Sequence, residues 1–441
     1  MKTLRFYLAL TATFLYRFRY VLLFGLFFGI VLFLFARAIT PRLGIRTEYI
    51  GMTGRYSVDD LPNVVLSEVG QGLTGISEDG QPIPAMAKSW EVSDKGKTWT
   101  FTLDTTRTWQ DGTPIVSNDI RYTFDEAQIE RPNPETIVFK LPNEFAPFPV
   151  IVSRPVFKKG LIGTGEWTVA SLNRNGNYIE RITLKNSKNE RKIFRFYPSE
   201  ERLKVGFKLG EVDKILDVSD EAPFDTWNLA GISSNTRNDR YIAVFLNNDS
   251  ELFNGTANKP LRQALHYAID KQSYNLPRAI SPVSPDSWSF NPQVKPYDFD
   301  RTRANQILSE LFKKNARPTI HLSTTAGLVS IADHIAKDWK EVGIETEVQV
   351  VTGVPENYEA FLATYSIPVD PDQYPSWHST QTATNISHFK NPRIDKLLED
   401  GRMELDHEKR KKLYLDFQRF LLEESPALFL FHPVSYDIYR K

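Results

Sequence analysis

One uncharged apolar segment, residues 20–36 (YVLLFGLFFGIVLFLFA), constrains this chain more than any other feature of its sequence. As a helix it would extend about 25 Å, which is close to the shortest length that crosses a bilayer. No second apolar segment of this length follows it. A single span does not form a channel by itself, so the remaining chain has to fold into a globular body outside the membrane.

The flanks of this segment leave two interpretations open. Basic residues lie on both sides of it, so the positive-inside rule favours an inside N-terminus only weakly. Ala36-Arg37-Ala38 has the small-x-small form of a cleavage site, but the apolar run is longer than a usual signal core. We therefore expect a basic tail (1–19), an uncleaved single-pass anchor (20–36) and a linker (37–46), with the body on the periplasmic or extracellular side. A cleaved signal segment is the alternative.

Charge and residue types exclude several classes of protein. The 441 residues suggest two or three domains, and 54 basic against 54 acidic residues argue against a nucleic-acid partner. The chain has no cysteine, which excludes disulfides, a thiol nucleophile and a lipid-modified cysteine near the N-terminus. Neither G-x-S-x-G nor H-E-x-x-H occurs. We expect a monomer that is not an enzyme and that needs no cofactor and no metal.

The body has the sequence patterns of a mixed α/β protein. Residues 87–103 alternate with period two around an Asp-Lys-Gly turn, which predicts a β-hairpin with Trp90 and Trp99 packed in a core. Residues 319–325 and 344–351 read as strands on either side of a helix, which predicts one right-handed β-α-β unit.

The stretch TWQDGTPIVSNDIRYTF (108–124) gathers two aspartates, an arginine and a tryptophan, as an active site might be expected to do. Each polar residue nevertheless has a backbone role. Asp111-Gly112 predicts a tight turn, and Ser117 is placed to cap a helix with Asp119 in its first turn. We interpret the stretch as architecture.

Several segments in their order resemble the family 5 extracellular solute-binding proteins, the oligopeptide and dipeptide receptors of ABC importers. They are LPNVVLSEVGQGL, DGQPIPAMAKSWEVSDKGKTWTFTL, WQDGTP with SNDIRYTF, FKLPNEFAPF, GTGEWTV, LRQALHYAIDKQ, AKDWKEVGIETEVQV and SHFKNPRIDKLLEDGR. The resemblance covers nearly the whole body. It implies a receptor that captures a solute between two lobes by hinge bending and presents it to a membrane permease.

The resemblance also implies how the chain is divided. Lobe I would comprise residues 45–70, 154–238 and 429–441, with a last strand near 429–439 crossing back to it. An extra small domain would span 71–153, and lobe II would span 239–428.

The ligand contacts implied by the resemblance are less clear in this sequence. Peptide-binding members pair the peptide ammonium with an aspartate that follows a Gly-Trp pair, and the matching stretch here is LATYSIPVDPDQY (362–374). The aspartate position falls on Ile367 or Pro368, which cannot pair with an amine. Asp370 or Asp372 is the substitute we consider, against the alternative that Asp370-Pro371-Asp372 is only a turn.

The remaining candidate contacts come from the same segment and from the loop after the first strand. Two histidines ten residues apart, His378 and His388, could ligate a metal, but without a third ligand ordinary packing or hydrogen bonding is the expectation instead of a metal site. Trp288 could line the cleft, and a structural role is the expectation for it. A receptor for an oligosaccharide or a nickel complex, or a membrane-tethered sensor, is the alternative function. The candidate ligand-binding residues are Arg55, Tyr56, Tyr365, Asp370, Asp372, Tyr374, Trp377 and His378.

Overall fold

The computed structural model describes residues 16–21, 24–25, 27–33, 46–313 and 316–441. The expected anchor (20–36) falls partly outside these residues, as do most of the expected tail and linker. Among the residues that the structure describes, no helix is long and apolar enough to cross a membrane.

The strands of the body are numbered in chain order. They are β1 (Thr47–Thr53), β2 (Thr74–Ile76), β3 (Pro82–Pro84), β4 (Ala87–Ser93), β5 (Thr98–Leu103), β6 (Gln128–Asn133), β7 (Thr136–Lys140), β8 (Thr168–Asn175), β9 (Tyr178–Lys185), β10 (Arg191–Tyr197), β11 (Lys214–Val218), β12 (Ala230–Thr236), β13 (Arg240–Leu246), β14 (Thr319–Thr324), β15 (Glu345–Val350), β16 (Ala360–Ser366), β17 (Ala427–Phe431) and β18 (Val434–Arg440).

The helices of the body are numbered in the same way. They are α1 (Asn63–Val69), α2 (Phe148–Ile151), α3 (Glu200–Leu209), α4 (Lys259–Ala268), α5 (Arg301–Leu311), α6 (Val329–Glu341), α7 (Tyr374–Trp377), α8 (Pro392–Met403) and α9 (His407–Glu424). Local signals set their ends. For example, the Ser199 side chain accepts a hydrogen bond from the Arg202 N–H at the start of α3, and Gly210 ends that helix with φ of 79°.

Lobe I is built on a seven-stranded mixed sheet in the order β12-β18-β11-β1-β10-β9-β8. Its central strand β1 is parallel to both neighbours, β10 and β11. Helix α1 packs on one face of the sheet through Val65 and Val69, and α3 packs on the other through Leu203 and Phe207. The N-terminal strand and the C-terminal strand of the body therefore meet in one lobe.

Lobe II is built on a five-stranded sheet in the order β15-β14-β16-β13-β17. Helices α4, α5 and α6 cover one face, and α8 with α9 cover the other, so the sheet is buried on both sides. Strands β14 and β15 pair in parallel around α6, which confirms the predicted β-α-β unit.

The predicted last strand, residues 429–439, needs correction. Phe429 lies in β17, which pairs with β13 in lobe II, whereas β18 pairs with β11 and β12 in lobe I. The chain crosses between the lobes at His432-Pro433, where proline has no N–H with which to continue a ladder.

An inserted domain, β2 to β7 with α2, leaves lobe I after α1 and has its own core. The predicted hairpin is confirmed as β4 and β5, where Thr98–Leu103 alternates between half-buried and buried residues. Trp99 is 4% exposed, and Trp90 packs beside it in this core as predicted.

The expected helix at Ser117 is wrong. The segment forms one 3₁₀ turn over Ser117–Asp119, and the Ser117 hydroxyl donates to the Asn133 carbonyl oxygen at 2.8 Å instead of capping. Arg131 donates hydrogen bonds to two carbonyl oxygens that would accept backbone N–H groups in a longer helix. Its Nε donates to Ser117 O at 2.9 Å, and its Nη2 donates to Ile120 O at 2.8 Å. The stretch remains architectural, because Ile120 and Trp109 are buried in the inserted core.

Candidate functional site

The two lobes are joined where the chain crosses between their sheets, from β12 to β13 and from β17 to β18. The two crossings are bonded to each other, because the Arg237 N–H donates to the Pro433 carbonyl oxygen at 2.8 Å. Side-chain charges add to this link. Arg237 pairs with Asp217 of lobe I and with Asp239 at 2.7 Å, and Arg240 lies 3.4 Å from the Asp239 carboxylate. The two crossings therefore lie side by side and are joined by a hydrogen bond and by ion pairs at the position where a hinge is expected.

A cavity of about 380 Å³, the hinge cavity, lies beside these crossings. Lobe I contributes Asp217 and Tyr436 to its lining, and lobe II contributes Thr364 from the end of β16 and Phe431. A space lined by two lobes changes shape whenever the lobes move relative to each other.

A second cavity of about 240 Å³, the acidic cavity, lies between the β2–β3 turn and the loops of lobe II. Its lining comes from three separate parts of the chain: Ile76, Ser77, Glu78, Asp79 and Gly80; Asp239, Ser284, Asp286 and Ser287; and Ile367, Pro368 and Val369. Ile367 and Pro368 are the positions that the resemblance matched to the family aspartate. The matched position therefore lies at a cavity, although its side chains are apolar here.

The acidic cavity carries four carboxylates and is lined by no lysine or arginine. The Asp79 carboxylate accepts hydrogen bonds from Ser77 Oγ at 2.5 Å and Gln81 Nε2 at 2.7 Å, which lower its pKa and keep it ionised. Asn238 Nδ2 donates to Asp286 Oδ2 at 2.9 Å. In the described part of the chain, only Asp239 of the four forms an ion pair with a cation. The local field favours a positively charged group.

The inserted domain touches lobe II directly across this cavity. The Trp288 N–H donates to the Asp79 carbonyl oxygen at 3.1 Å. Gly80 has φ of 87°, and a Cβ atom built there would lie 3.1 Å from the Val369 carbonyl oxygen. A side chain at this position would therefore be tight against the lobe II backbone as well as strained by its positive φ.

A third cavity of about 410 Å³, the lobe I cavity, lies at the ends of β1 and β10. Arg55 and Tyr178 line it, with the guanidinium carbon of Arg55 5.9 Å from the ring centre of Tyr178. Arg195 lines it too, but that guanidinium is 2.9 Å from the Glu211 carboxylate. Within the described residues Arg55 forms no ion pair, so it is available to a carboxylate.

Tyr56, the other candidate of this loop, is partly structural. Its hydroxyl donates to the Thr53 carbonyl oxygen at 2.9 Å, and its ring packs edge-on against Phe196 at 5.0 Å. Burial raises the pKa of Tyr56, and the carboxylates of Asp60 and Asp217 raise it further. Asp217 also lines the hinge cavity.

The two aspartates proposed as amine partners already have cationic partners. Asp370 receives two hydrogen bonds from Arg410, at 2.6 and 2.8 Å, and both residues are 7% exposed. One carboxylate oxygen of Asp372 accepts two hydrogen bonds from Arg402, from Nε at 3.0 Å and from Nη2 at 2.8 Å. Burial raises the pKa of Asp372, and Arg402 opposes this rise. A ligand amine would have to displace an arginine to reach either carboxylate.

The other candidates of this segment surround these ion pairs. Tyr365 donates from its hydroxyl to Ser376 Oγ at 2.9 Å. Tyr374 stacks on His378 with ring centres 4.0 Å apart, and the Arg402 guanidinium lies 4.1 Å from the Tyr374 ring. Trp377 is 1% exposed and belongs to the lobe II core. These contacts hold the segment after β16 in a fixed shape.

The histidines are bonded within the protein. His378 Nδ1 lies 2.8 Å from Thr380 Oγ1, and His388 Nδ1 lies 3.0 Å from Asp249 Oδ2. No group of three or more His, Cys, Asp or Glu residues among the described residues is arranged to hold a metal ion. Trp288 packs against His407 and Tyr414, with ring centres 4.3 and 6.3 Å apart.

The acidic cavity has no signal in the sequence. Its carboxylates come from the turn at Glu78-Asp79, from the loop that carries Asp286, and from Asp239 at the hinge. Each of these segments has the Asp, Ser, Gly and Pro content of an ordinary turn. Only their meeting in space distinguishes them, so spacing along the chain offered no signal.

The comparison with protein families shows to which family the chain belongs. The model of the bacterial extracellular solute-binding proteins, family 5, matches residues 81–386, more than half of the chain. The chain belongs to this family. The resemblance inferred from the sequence is thereby confirmed, and this family 5 protein is an extracellular solute-binding protein.

Individual relatives are distant. The oligopeptide-binding protein AppA of Bacillus subtilis (strain 168) is 27% identical over 227 residues, which cover 44% of this chain and 41% of AppA. The nickel-binding periplasmic protein of Escherichia coli (strain K12) is 25% identical over an alignment of 467 residues, which covers 85% of each protein.

Solved structures share the fold over nearly the whole chain. AppA of Bacillus subtilis in complex with a nonapeptide has a TM-score of 0.67 at 18% identity and covers 90% of this chain and 95% of its own. NikZ from Campylobacter jejuni in complex with Ni(L-His) has a TM-score of 0.71 at 22% identity and covers 90% and 94%. These likenesses support the bilobed α/β fold of this family 5 protein.

Proposed function

We propose that this family 5 protein captures a peptide-like solute between its lobes and delivers it to the permease of an ABC importer. The observation that carries the proposal is the acidic cavity, whose carboxylates include Glu78 and Asp286, and neither of these forms an ion pair with a cation among the residues that the structure describes. A peptide presents an ammonium group, and burying that group is unfavourable unless a carboxylate pairs with it. The cavity offers this pairing at the position matched by Ile367 and Pro368.

The proposed ligand has charges at both ends. Arg55, which forms no ion pair among the described residues, lies in the lobe I cavity and can receive a carboxylate. Tyr56, just beyond the end of β1, and Tyr365, near the end of β16, are the tyrosines that we propose as contacts of an extended ligand on the two lobes. We assign a structural role to the other candidates of lobe II, which hold the segment after β16 in place behind this surface. We call these residues the frame of lobe II: Asp370, Asp372, Tyr374, Trp377 and His378.

The proposed moving parts follow the sheets. Lobe I, residues 45–70, 154–238 and 434–441, moves together with the inserted domain, residues 71–153. Lobe II comprises residues 239–431. Ligand stabilises the closed arrangement because it contacts both sides of the cleft only there, and the permease recognises closure.

The segment 20–36 is proposed as a single-pass anchor, on the basis of its uncharged apolar sequence and basic flanks. The linker 37–46 has ten residues, so the body is kept at a high effective concentration near its permease. N-terminal sequencing of the mature protein tests this. A protein that starts near Ile39 would show instead that the segment is a cleaved signal peptide.

A thermal-shift screen tests the ligand class. The full chain in detergent is heated with pools of di- to penta-peptides, the same pools N-acetylated, oligosaccharides, and nickel with histidine. A ligand at a hundred times its dissociation constant adds about 2.7 kcal/mol to the free energy of unfolding. We expect a shift of several degrees with free peptides and its loss on acetylation. A shift only with oligosaccharides or with the nickel complex would contradict the peptide proposal.

A further inference from the structure

One end of lobe I exposes aliphatic side chains that belong to none of the hydrophobic clusters of the described chain. Leu209, the last residue of α3, is 72% exposed, and Leu229, just before β12, is 73% exposed. Val205, one helical turn before Leu209, is 45% exposed. We call these three residues the apolar end of lobe I.

Backbone and side-chain contacts bring the three residues to one place. The Lys441 N–H donates to the Leu229 carbonyl oxygen at 2.9 Å, and the Arg440 guanidinium donates to the Phe207 carbonyl oxygen, two residues before Leu209. Arg440 also faces Ala230 in the ladder between β18 and β12. The C-terminal strand therefore holds α3 and the Leu229 loop side by side.

Unpaired positive charges surround the apolar end. Lys208, Lys214, Arg440 and Lys441 form no ion pair with a carboxylate in the part of the chain that the structure describes, whereas Lys204 on the same helix pairs with Glu200 at 3.0 Å. The acidic neighbours are Glu211, which pairs with Arg195 at 2.9 Å, and the exposed Asp213 and Asp225. An exposed aliphatic surface with a basic border is the combination that binds an anionic bilayer surface.

The chain also enters lobe I at this end. The Asp213 N–H donates to the Tyr49 carbonyl oxygen at 2.8 Å, and the Arg440 N–H donates to the Asp213 carbonyl oxygen at 2.9 Å. The start of β1 and the basic border are thus neighbours. The ten-residue linker 37–46 spans at most about 35 Å, which is less than the diameter of a globular body with a radius of gyration of about 22 Å. An anchored chain must therefore keep this end of lobe I near the membrane.

We propose that the apolar end of lobe I docks on the anionic membrane surface, with Val205, Leu209 and Leu229 at the lipid and the four basic residues at the headgroups. The proposal rests on the proposed anchor, which supplies the tether. In this orientation β1 points away from the bilayer. Its seven residues extend about 20 Å, so the cleft lies about that far from the docked end. The cleft then faces solute rather than lipid, and delivery requires lobe I to leave the surface.

The absence of cysteine from the sequence allows a direct test with single labels. Leu209→Cys and Leu229→Cys are made separately in the full chain, spin-labelled, and reconstituted into vesicles of phosphatidylglycerol with phosphatidylcholine. Accessibility to oxygen, which concentrates in lipid, is compared with accessibility to a water-soluble nickel chelate. Val354→Cys in lobe II is the matched control, because Val354 is 55% exposed and lies outside the apolar end.

We expect the labels at 209 and 229 to lose chelate accessibility and gain oxygen accessibility severalfold, while the label at 354 stays aqueous. The difference should shrink in pure phosphatidylcholine and at high salt, since the basic border acts through charge. Labels at 209 and 229 that behave like the label at 354 on anionic vesicles would overturn the proposal. So would labels that become protected only when a permease is present, because the surface would then be a protein contact.

Carbonate extraction of the same vesicles separates the two proposals. A chain that stays in the bilayer with aqueous labels at 209 and 229 keeps its anchor and lacks the docking. A chain that washes off the vesicles has no anchor, and the docking proposal fails with it. Protection at both positions in an extraction-resistant chain supports both.

Discussion

Replacing Asp370 by asparagine tests whether this carboxylate belongs to the frame of lobe II or to the ligand. Asp370 and Arg410 are each 7% exposed, and two charge-assisted hydrogen bonds of 2.6 and 2.8 Å join them. Asparagine keeps the shape of the side chain but leaves the Arg410 guanidinium buried opposite a neutral amide. Removing one partner of a buried ion pair costs about 3–5 kcal/mol.

For a lobe of this size, such a loss corresponds to a fall in melting temperature of roughly 10 °C. Scanning fluorimetry of the full chain measures it. The double variant Asp370→Leu with Arg410→Met should recover much of the loss, because it leaves neither charge unpaired. Asp416→Asn is the control, since Asp416 and Arg419 pair at 2.7 Å on the surface with half of each side chain exposed. That substitution should cost about 1 kcal/mol or less.

Peptide affinity completes the test. If Asp370 belongs to the frame, calorimetry well below the melting temperature of the Asp370→Asn variant should give a dissociation constant close to that of the wild type. An unchanged melting temperature together with a large loss of binding to free peptides would refute the reasoning. Asp370 would then be the amine partner, and its pairing with Arg410 would have to open for ligand.

Three further predictions concern the cleft and the core. The double variant Glu78→Gln with Asp286→Asn should weaken binding of free peptides by roughly tenfold in calorimetry and leave N-acetylated peptides unaffected; equal losses for both would contradict an amine role. Gly80→Ala and Gly112→Ala should each cost about 1 kcal/mol of stability, since φ is 87° and 81°, but only Gly80→Ala should also weaken ligand binding, because it alone meets the lobe II backbone. His266 is buried, and this burial lowers its folded-state pKa, so its contribution to stability is present above its unfolded pKa and lost as pH falls below about 6.5. The wild type should therefore lose more stability than His266→Gln as pH falls from 6.5 to 5 in melting curves, by at most about 1.4 kcal/mol per pH unit, and parallel curves would contradict this.

Local patterns in the sequence were sufficient to predict the elements whose apolar residues repeat with the period of a strand or of a helix. The alternation of Thr98–Leu103 matches the inserted core, and the helix between β14 and β15 was identified with its parallel neighbours. The period of apolar residues fixes which face is buried, and that face fixes the packing. The helix expected at Ser117 failed because Arg131, a residue of β6, takes the carbonyl groups of that segment.

The sequence by itself determined the family, the class of fold, and the architectural role of residues 108–124. Only the tertiary structure decided which carboxylates are available to a ligand. Asp370 is paired with Arg410, forty residues away in the chain, while Glu78 and Asp286 meet in one cavity from segments about two hundred residues apart. A carboxylate attracts a ligand cation only if no protein cation has neutralised it. That depends on side-chain neighbours, which spacing along the chain does not encode.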